Sequence, residues 1–241
     1  MPEDPTLSII IPCLNDAVEL RHCLVRLENV RKSGAEIVVC DATEDESCRD
    51  VAREFSVPVV RCAGGGRGPQ LNAGAAAARG EVLLFNHCDT LLLPDHVTAV
   101  RQAVQRSHPP FRCGAFFKDL PWHYPRWAWA DSLVRRWSTD FGTVYGDQTQ
   151  FFRRSHFERL GGYPDIPIME DVVMSGRMRR GGGFLLLDPP LRTSMRRFQQ
   201  RGRLKNRAQN LLLLALFHAG IATPQGIYRW YYRRSAARKP N

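Results

Sequence analysis

The sequence has no apolar run long enough to cross a bilayer. Its longest, Leu211 to Phe217, falls far short of the ~20 residues that a spanning helix needs. Paired cysteines are missing too. The seven cysteines (Cys13, Cys23, Cys40, Cys48, Cys62, Cys88, Cys113) form no CxxC pair and are odd in number, so no zinc site or disulfide framework is legible and reduced thiols are expected. There is no secretory leader pattern, since the acidic start MPEDPT runs straight into a strand-like segment. There is also no complete phosphate-binding loop, because Gly64-Gly65-Gly66-Arg67-Gly68-Pro69 matches neither the P-loop nor GxGxxG. Internal repeats, low-complexity tracts and linkers are absent. Together these absences predict one cytoplasmic domain over residues 1–241.

What is present begins with charge. Lys and Arg number 34 against 24 Asp and Glu, a formal +10 carried largely by arginine in the C-terminal half. That balance favours an anionic partner: a nucleotide, a phosphate, a nucleic acid or an acidic membrane surface.

Apolar runs and helical spacings then alternate. Leu7 to Ile11 reads as a buried strand stopped by Pro12, followed by a helix carrying Leu20, Leu24 and Leu27. Ala35 to Cys40 is a second strand, ending at Asp41. An acidic helix, a short strand over Val57 to Cys62 and an alanine-rich helix opened by Pro69 come next, and then the strand Glu81 to Phe85. The order β-α-β-α-β-α-β predicts a Rossmann-like, mostly parallel sheet with helices on both faces. Ligands of such sheets bind beyond the C-terminal strand ends, where Asp41, His87 and Asp89 fall. The second half is more mixed: strand-like segments at Phe111 to Lys118, Thr149 to Arg153 and Phe184 to Leu187, a capping box at Ser155 and Glu158, and helices over Glu170 to Arg180 and Lys205 to His218.

Each candidate site residue has a bland reading. Asp41 can receive hydrogen bonds from a nucleobase or ribose, or simply cap a helix. Arg67 can meet a phosphate at the start of the following helix, or sit in a plain turn. His87 and Asp89 lie two apart in an extended segment and so share a side, as a cation site requires; the alternative is a capping Asp beside a core-edge His. Cys88 between them reads as a buried filler. Glu170 and Asp171 either complement a helix dipole or supply a general base. As helical neighbours they diverge by ~100°, so at most one of them is expected to face a substrate. The helix start is expected to depress the carboxylate pKa.

Taken in order, the segments SIIIPCLND (8–16), EIVVCDATEDES (36–47), GRGPQLNAGA (66–75), LLFNHCDTLLLP (83–94), YGDQTQFFRR (145–154) and GGYPDIPIMEDVVMSGRMRRGG (161–182) resemble the family 2 glycosyltransferases, in particular a soluble bacterial subgroup. The resemblance runs from about Leu7 to Tyr232. It implies the α/β GT-A fold, with a nucleotide-sugar-binding half over 1–94 and a mixed acceptor and catalytic half over 95–241. It also implies sugar transfer from a nucleotide-diphosphate sugar to an acceptor hydroxyl by a metal-assisted, inverting single displacement. Pro12 and Asn15 would line the nucleoside pocket, Asp41 would contact the base, and Arg67, Gln70 and Asn72 would lie near the phosphates or sugar. Asp89, with His87, would hold Mn2+ or Mg2+ and the diphosphate, and Asp171 would be the base with Glu170 in support. A UDP-sugar is favoured over a GDP-sugar. The acceptor is unidentified, a lipid-linked one being an option, and nucleic acid is not expected.

Three departures from the family pattern matter. His87 stands where the first aspartate of DxD is expected, which implies either weaker metal binding or a preference for manganese over magnesium. The D-G-S-T-D run is Asp41-Ala42-Thr43-Glu44-Asp45. QxxRW is replaced by Arg196-Arg197-Phe198, which argues against a processive polymerase. Two alternatives stay open. One is a sugar-phosphate nucleotidyltransferase, which would carry its glycine-rich loop after the first strand. The other is a non-catalytic nucleic-acid or membrane-surface module built on the basic run Arg229-Trp230-Tyr231-Tyr232-Arg233-Arg234. Peripheral contact of that run with the inner membrane face is compatible with the enzyme reading. The aromatic segment Trp122 to Trp137 is the expected acceptor wall.

Overall fold

The computed structural model describes residues 6–63, 66–107, 111–118, 135–136, 139, 143–193 and 212–236, with side chains to 230. β1 (Leu7–Cys13) is the central element because its pattern serves both faces of the sheet at once. Ile9 and Ile11 point into one core with Leu20, Leu24 and Leu27, and Ile10 points into the other with Leu83, Phe85 and Phe152. Each of these side chains is 2% exposed or less, and each contributes about 1.5–3 kcal/mol relative to full exposure.

Around β1 the strands β2 (Glu36–Asp41), β3 (Val59–Arg61) and β4 (Val82–Phe85) run parallel, and α1 (Ala17–Lys32), α2 (Ser47–Glu54) and α3 (Arg67–Ala77) make the crossovers. α3 begins at Arg67, two residues before Pro69. β5 (Thr90–Leu91) and α4 (Pro94–Arg106) follow. Beyond them lie β6 (Cys113–Lys118), β7 (Gln150–Arg153), α5 (Arg154–Arg159), α6 (Glu170–Gly181), β8 (Phe184–Thr193), a helical stretch over 212–218 (α7) and α8 (Pro224–Ala236).

The eight strands are ordered β3-β2-β1-β4-β7-β6-β8-β5. β7 joins β4 and β6 antiparallel, so the parallel half gives way to a mixed half as expected. Two local expectations change. β8 does not stop at Leu187: it runs through Pro189 and Pro190 to Thr193, and its pairing with β6 shifts register between Leu187 and Leu191, where prolines cost no ladder bond. The predicted Ser155/Glu158 capping box does not form, because α5 already starts at Arg154, leaving Ser155 inside the helix.

Candidate active site

The C-terminal ends of β1, β2 and β4 converge. Cys88 Sγ lies 3.5 Å from the Pro12 carbonyl, which brings the β4 end beside the β1 end. An open, shallow cleft lined by Asn15, Asp16, Ala17, Val18, Asp45 and Ser47 separates the turn after β1 from the turn after β2. Asn15 reaches it through a left-handed backbone (φ 52°), a conformation Asn tolerates better than most residues. Its N–H donates to Thr43 Oγ1 at 2.9 Å, which ties the two turns together.

Asp41 stands below this cleft rather than in it. Its carboxylate has no exposed surface, accepts from Arg49 at 2.6 Å and from the Thr43 N–H at 2.9 Å, and so holds the β2–α2 turn. In this geometry the carboxylate expected to contact the base is engaged by Arg49 and by Thr43, whose hydroxyl in turn holds Asn15 at the cleft. Arg49 was not singled out in the sequence. Its signal was its place in a dense charge run, where Glu46 also engages it at 2.7 Å.

Gln70 and Asn72 are likewise braces. Gln70 is buried and donates to the Cys13 and Cys40 carbonyls, fastening α3 to the ends of β1 and β2. Asn72 donates to the Tyr163 carbonyl at 2.9 Å and accepts from the Tyr163 N–H at 2.8 Å. Both amides are thus engaged with backbone. The Asn72 pair pins the Gly161-Gly162-Tyr163-Pro164 loop onto α3. Gly68 allows this, since a Cβ there would overlap the Pro164 carbonyl.

That docking carries Arg67 to Glu170, with Nη1 to Oε1 at 3.3 Å. Glu170 is 3% exposed, and burial together with the negative charge of Asp171 raises its pKa while Arg67 opposes the shift. Met169 precedes it in the left-handed region (φ 71°), a backbone position that a non-glycine residue takes up only where its surroundings impose it.

Asp171 points the other way. Its Oδ2 accepts from the Gly146 N–H at 2.8 Å and its Oδ1 from its neighbour Val172 N–H at 2.8 Å. The expected pKa depression is overturned. Burial raises the carboxyl above its ordinary range, and Asp147 adds to this, although the two N–H donors and Arg67 pull the other way. The helix start is present, but desolvation outweighs it.

Gly146 joins Asp171 to the β4 end. A Cβ at this glycine would lie 2.7 Å from His87 Nε2 and 3.5 Å from Asp171 Oδ2, so the imidazole occupies the space that a side chain would fill. His87 and Asp89 are half-buried on either side of buried Cys88, on the turn leading from β4 into β5. The site thus brings together His87, Gly146 and Asp171, with Arg67 and Glu170 adjoining, and Asp89 follows two residues after His87 on the same turn.

Sequence reasoning passed over the supports. Gln150 Nε2 donates to the Val144 and Asp171 carbonyls, and Tyr163 Oη donates to Gln150 Oε1 at 2.8 Å. Lys118 pairs with Asp147, and Thr149 Oγ1 donates to Asn86 Oδ1 at 2.7 Å. Only the polar run GDQTQ hinted at them. Most of the aromatic segment Trp122 to Trp137 lies outside the described residues.

The family model described as "Glycosyl transferase family 2" matches residues 8–161. A probable glycosyltransferase of Bacillus subtilis is 27% identical over 207 residues, covering 74% of this chain and 47% of that protein, so the chain spans about half the length of this curated relative. Among solved structures, glucosyl-3-phosphoglycerate synthase of Mycobacterium tuberculosis, in complex with Mn2+, UDP and glucosyl-3-phosphoglycerate, superposes with a TM-score of 0.62 at 16% identity, covering 91% of this chain and 81% of that one. A mannosyltransferase of Pyrobaculum calidifontis, in complex with GDP-Man and Mn2+, gives 0.56 at 19% identity over 78% of this chain and 56% of that one. At these identities the structures establish the fold, which is GT-A.

Proposed function

The chain belongs to glycosyl transferase family 2, and from that premise we propose that it moves a sugar from a nucleoside-diphosphate sugar to an acceptor hydroxyl with inversion. The observation that carries this reading is the meeting of His87 and the Asp171 carboxylate on either side of Gly146, at the strand ends where a GT-A sheet receives its ligand. Residues 1–94 would hold the donor and 95–241 the acceptor, as one unit.

Pro12 and Asn15 would take the nucleoside at the cleft, with Asp41, through Thr43 and Arg49, keeping that wall in place. Arg67 would add positive charge near the diphosphate. A divalent cation suits the chemistry of the remaining donors: His87 and Asp89 offer one imidazole and one carboxylate on one turn, and the absence of a Cβ at Gly146 leaves room for the imidazole. Two protein ligands suit an ion that shares its other positions with diphosphate and water. Bound there, the ion would supply charge neutralisation for the departing nucleotide, and the imidazole favours Mn2+ over Mg2+.

The proton belongs to Asp171. Its Oδ atoms are oriented by two backbone N–H groups, and its raised pKa makes it a better proton acceptor than an ordinary carboxylate. The acceptor hydroxyl gives its proton to Asp171 as its oxygen bonds to the anomeric carbon, and the bond to the nucleotide breaks on the opposite face. Glu170, held by Arg67, would keep that guanidinium in place rather than touch the acceptor. A uridine donor is put ahead of a guanosine one. Weak contact of the basic C-terminal helix with an anionic membrane is compatible with a lipid-linked acceptor.

Thermal denaturation with UDP, GDP and ADP, with and without Mn2+, tests the donor reading. UDP with Mn2+ should raise Tm most, and Asp89→Ala should remove the metal-dependent part while leaving the unliganded Tm near wild type. Equal, metal-independent shifts for all three nucleotides would sink it.

A further inference from the structure

Three thiols, of Cys13, Cys48 and Cys88, meet at the C-terminal end of β1, and nothing in the transfer reaction uses them. Cys13 ends β1 and is 2% exposed; Cys48 lies in the first turn of α2 and is fully buried. Their Sγ atoms are 3.1 Å apart although 35 residues separate them in the chain. A disulfide needs ~2.05 Å, so the sulfurs must close by about 1 Å. The Thr43 hydroxyl donates to Cys48 Sγ at 3.3 Å, and the same oxygen receives the Asn15 N–H from the opposite cleft wall. We propose that Cys13 and Cys48 form a dithiol that closes to a disulfide under hydroperoxide, fastening the end of β1 to α2 beneath the nucleoside cleft.

The chemistry assigns unequal roles. Contacts with the Cys88 and Cys48 thiols hold the Cys13 thiol below its usual pKa despite burial, whereas Cys48 is pushed up to about 11, chiefly by burial. Cys13, at the strand end and the less buried of the two, is assigned as the sulfur oxidised first. Its sulfur bonds to one peroxide oxygen as the O–O bond breaks, giving a sulfenic acid, and the other oxygen leaves as water with the thiol proton. Cys48 sulfur then displaces the hydroxyl, which departs as a second water with the Cys48 proton. Both sulfurs are oxidised and the peroxide is reduced. A thiol reductant reverses the step by exchange.

A metal is the competing use of this cluster, since ligand atoms of Cys13, Asp41 and Cys48 lie within 4.8 Å of one another. The Asp41 carboxylate, however, is already engaged by the Arg49 cation at 2.6 Å and by the Thr43 N–H. A second cation beside Arg49 is opposed, and the thiol pair is left to its own redox chemistry.

The consequence for the cleft rests on the nucleotide reading above. The disulfide would join the element bearing Pro12 to the helix whose Ser47 lines the cleft, so oxidised protein should lose the nucleotide-induced thermal shift. The experiment treats the full chain with hydrogen peroxide, blocks remaining thiols, and maps peptides. The expected result is the loss of two hydrogen atoms from the intact mass, a Cys13–Cys48 linked peptide, and reversal by dithiothreitol. Cys48→Ala should abolish the link, and Cys48→Ser repeats the test should the alanine variant fold poorly. A main product linking Cys13 to Cys88, no linked product at all, or tight stoichiometric zinc by metal analysis would each overturn the proposal. Mapped disulfide with an unchanged UDP shift would overturn the coupling alone. Reduced protein that ignores every nucleotide is instead a failure of the donor reading.

Discussion

Asp171 sits among influences that pull in opposite directions: burial and Asp147 push its pKa up, and two N–H groups and Arg67 pull it down. Burial wins. Transfer requires the ionised form, so activity should be present above this raised pKa and lost as pH falls through it, with the acid limb above the ~3.9 of an unperturbed aspartate. Removing Arg67 takes away a stabilising positive charge, so Arg67→Met should move that limb of kcat, at saturating donor, to still higher pH. A limb that stays put or moves down would mean Asp171 is not the titrating group. The residue types at this site were legible in the sequence; their environment was not. His87, Asp89 and Asp171 could be picked out only through the ordered set of family-like segments, because taken singly each has a capping or helix-dipole role as its plainer reading. That Gln70, Asn72 and Asp41 are spent on backbone and Arg49 could not, since, apart from the Thr43 N–H next to Asp41, their partners lie 8 to 91 residues away in the chain.

At the level of elements, the site depends on the 3-10 turn Gly146–Gln148 and on the start of α6, two pieces that contact each other across a single glycine. The turn is held by its own amide ring, with Gln148 Oε1 accepting from the Tyr145 N–H and Gln148 Nε2 donating to the Phe116 carbonyl. Gly146→Ala would place a methyl 2.7 Å from His87 Nε2, so the imidazole must move. Displacement of that order at a reacting centre costs about 10²-fold. The expected outcome is a loss of kcat/KM of that size, weaker Mn2+-dependent nucleotide binding, and a melting temperature close to wild type. Wild-type activity in this variant would show that His87 is not positioned by the turn. The β-α-β half was legible because β1, β2 and β4 are apolar runs buried on both faces, β3 at the sheet edge being only partly covered. The course of β8 through Pro189 and Pro190 was not, because a register shift is set by the partner strand and leaves no periodic signature.

Across the whole molecule, charge and sheet topology divide the work. The parallel strands bring Asn15 and His87 to their C-terminal edge, and β7 returns antiparallel beside β4, with the Gly146 turn against His87. At the C-terminus, α8 buries Ile227 (2% exposed) while Tyr228 and Trp230 stay out at 40% and 37%, beside the exposed Arg229. No helix among the described residues is long and apolar enough to cross a membrane. If this helix meets anionic lipid, binding to phosphatidylserine vesicles should fall steeply with salt, because exposed charges are screened over ~8 Å at physiological ionic strength, and truncation after Thr223 should abolish it. Full-length protein that ignores such vesicles at low salt would reduce α8 to a structural helix. The net +10 signalled an anionic partner from the sequence, but charge alone could not separate a diphosphate from a membrane.

The central claim is that Asp171 takes the acceptor proton at a site that binds the donor without it, and Asp171→Asn isolates that step. The variant keeps the shape of the side chain and removes its basicity. Nucleoside-diphosphate affinity, measured by calorimetry with Mn2+, should match wild type, while turnover of the nucleotide sugar falls by about 10²–10⁴, the usual contribution of a general base. Sugar transfer at the wild-type rate, or loss of nucleotide affinity together with turnover, would contradict the account.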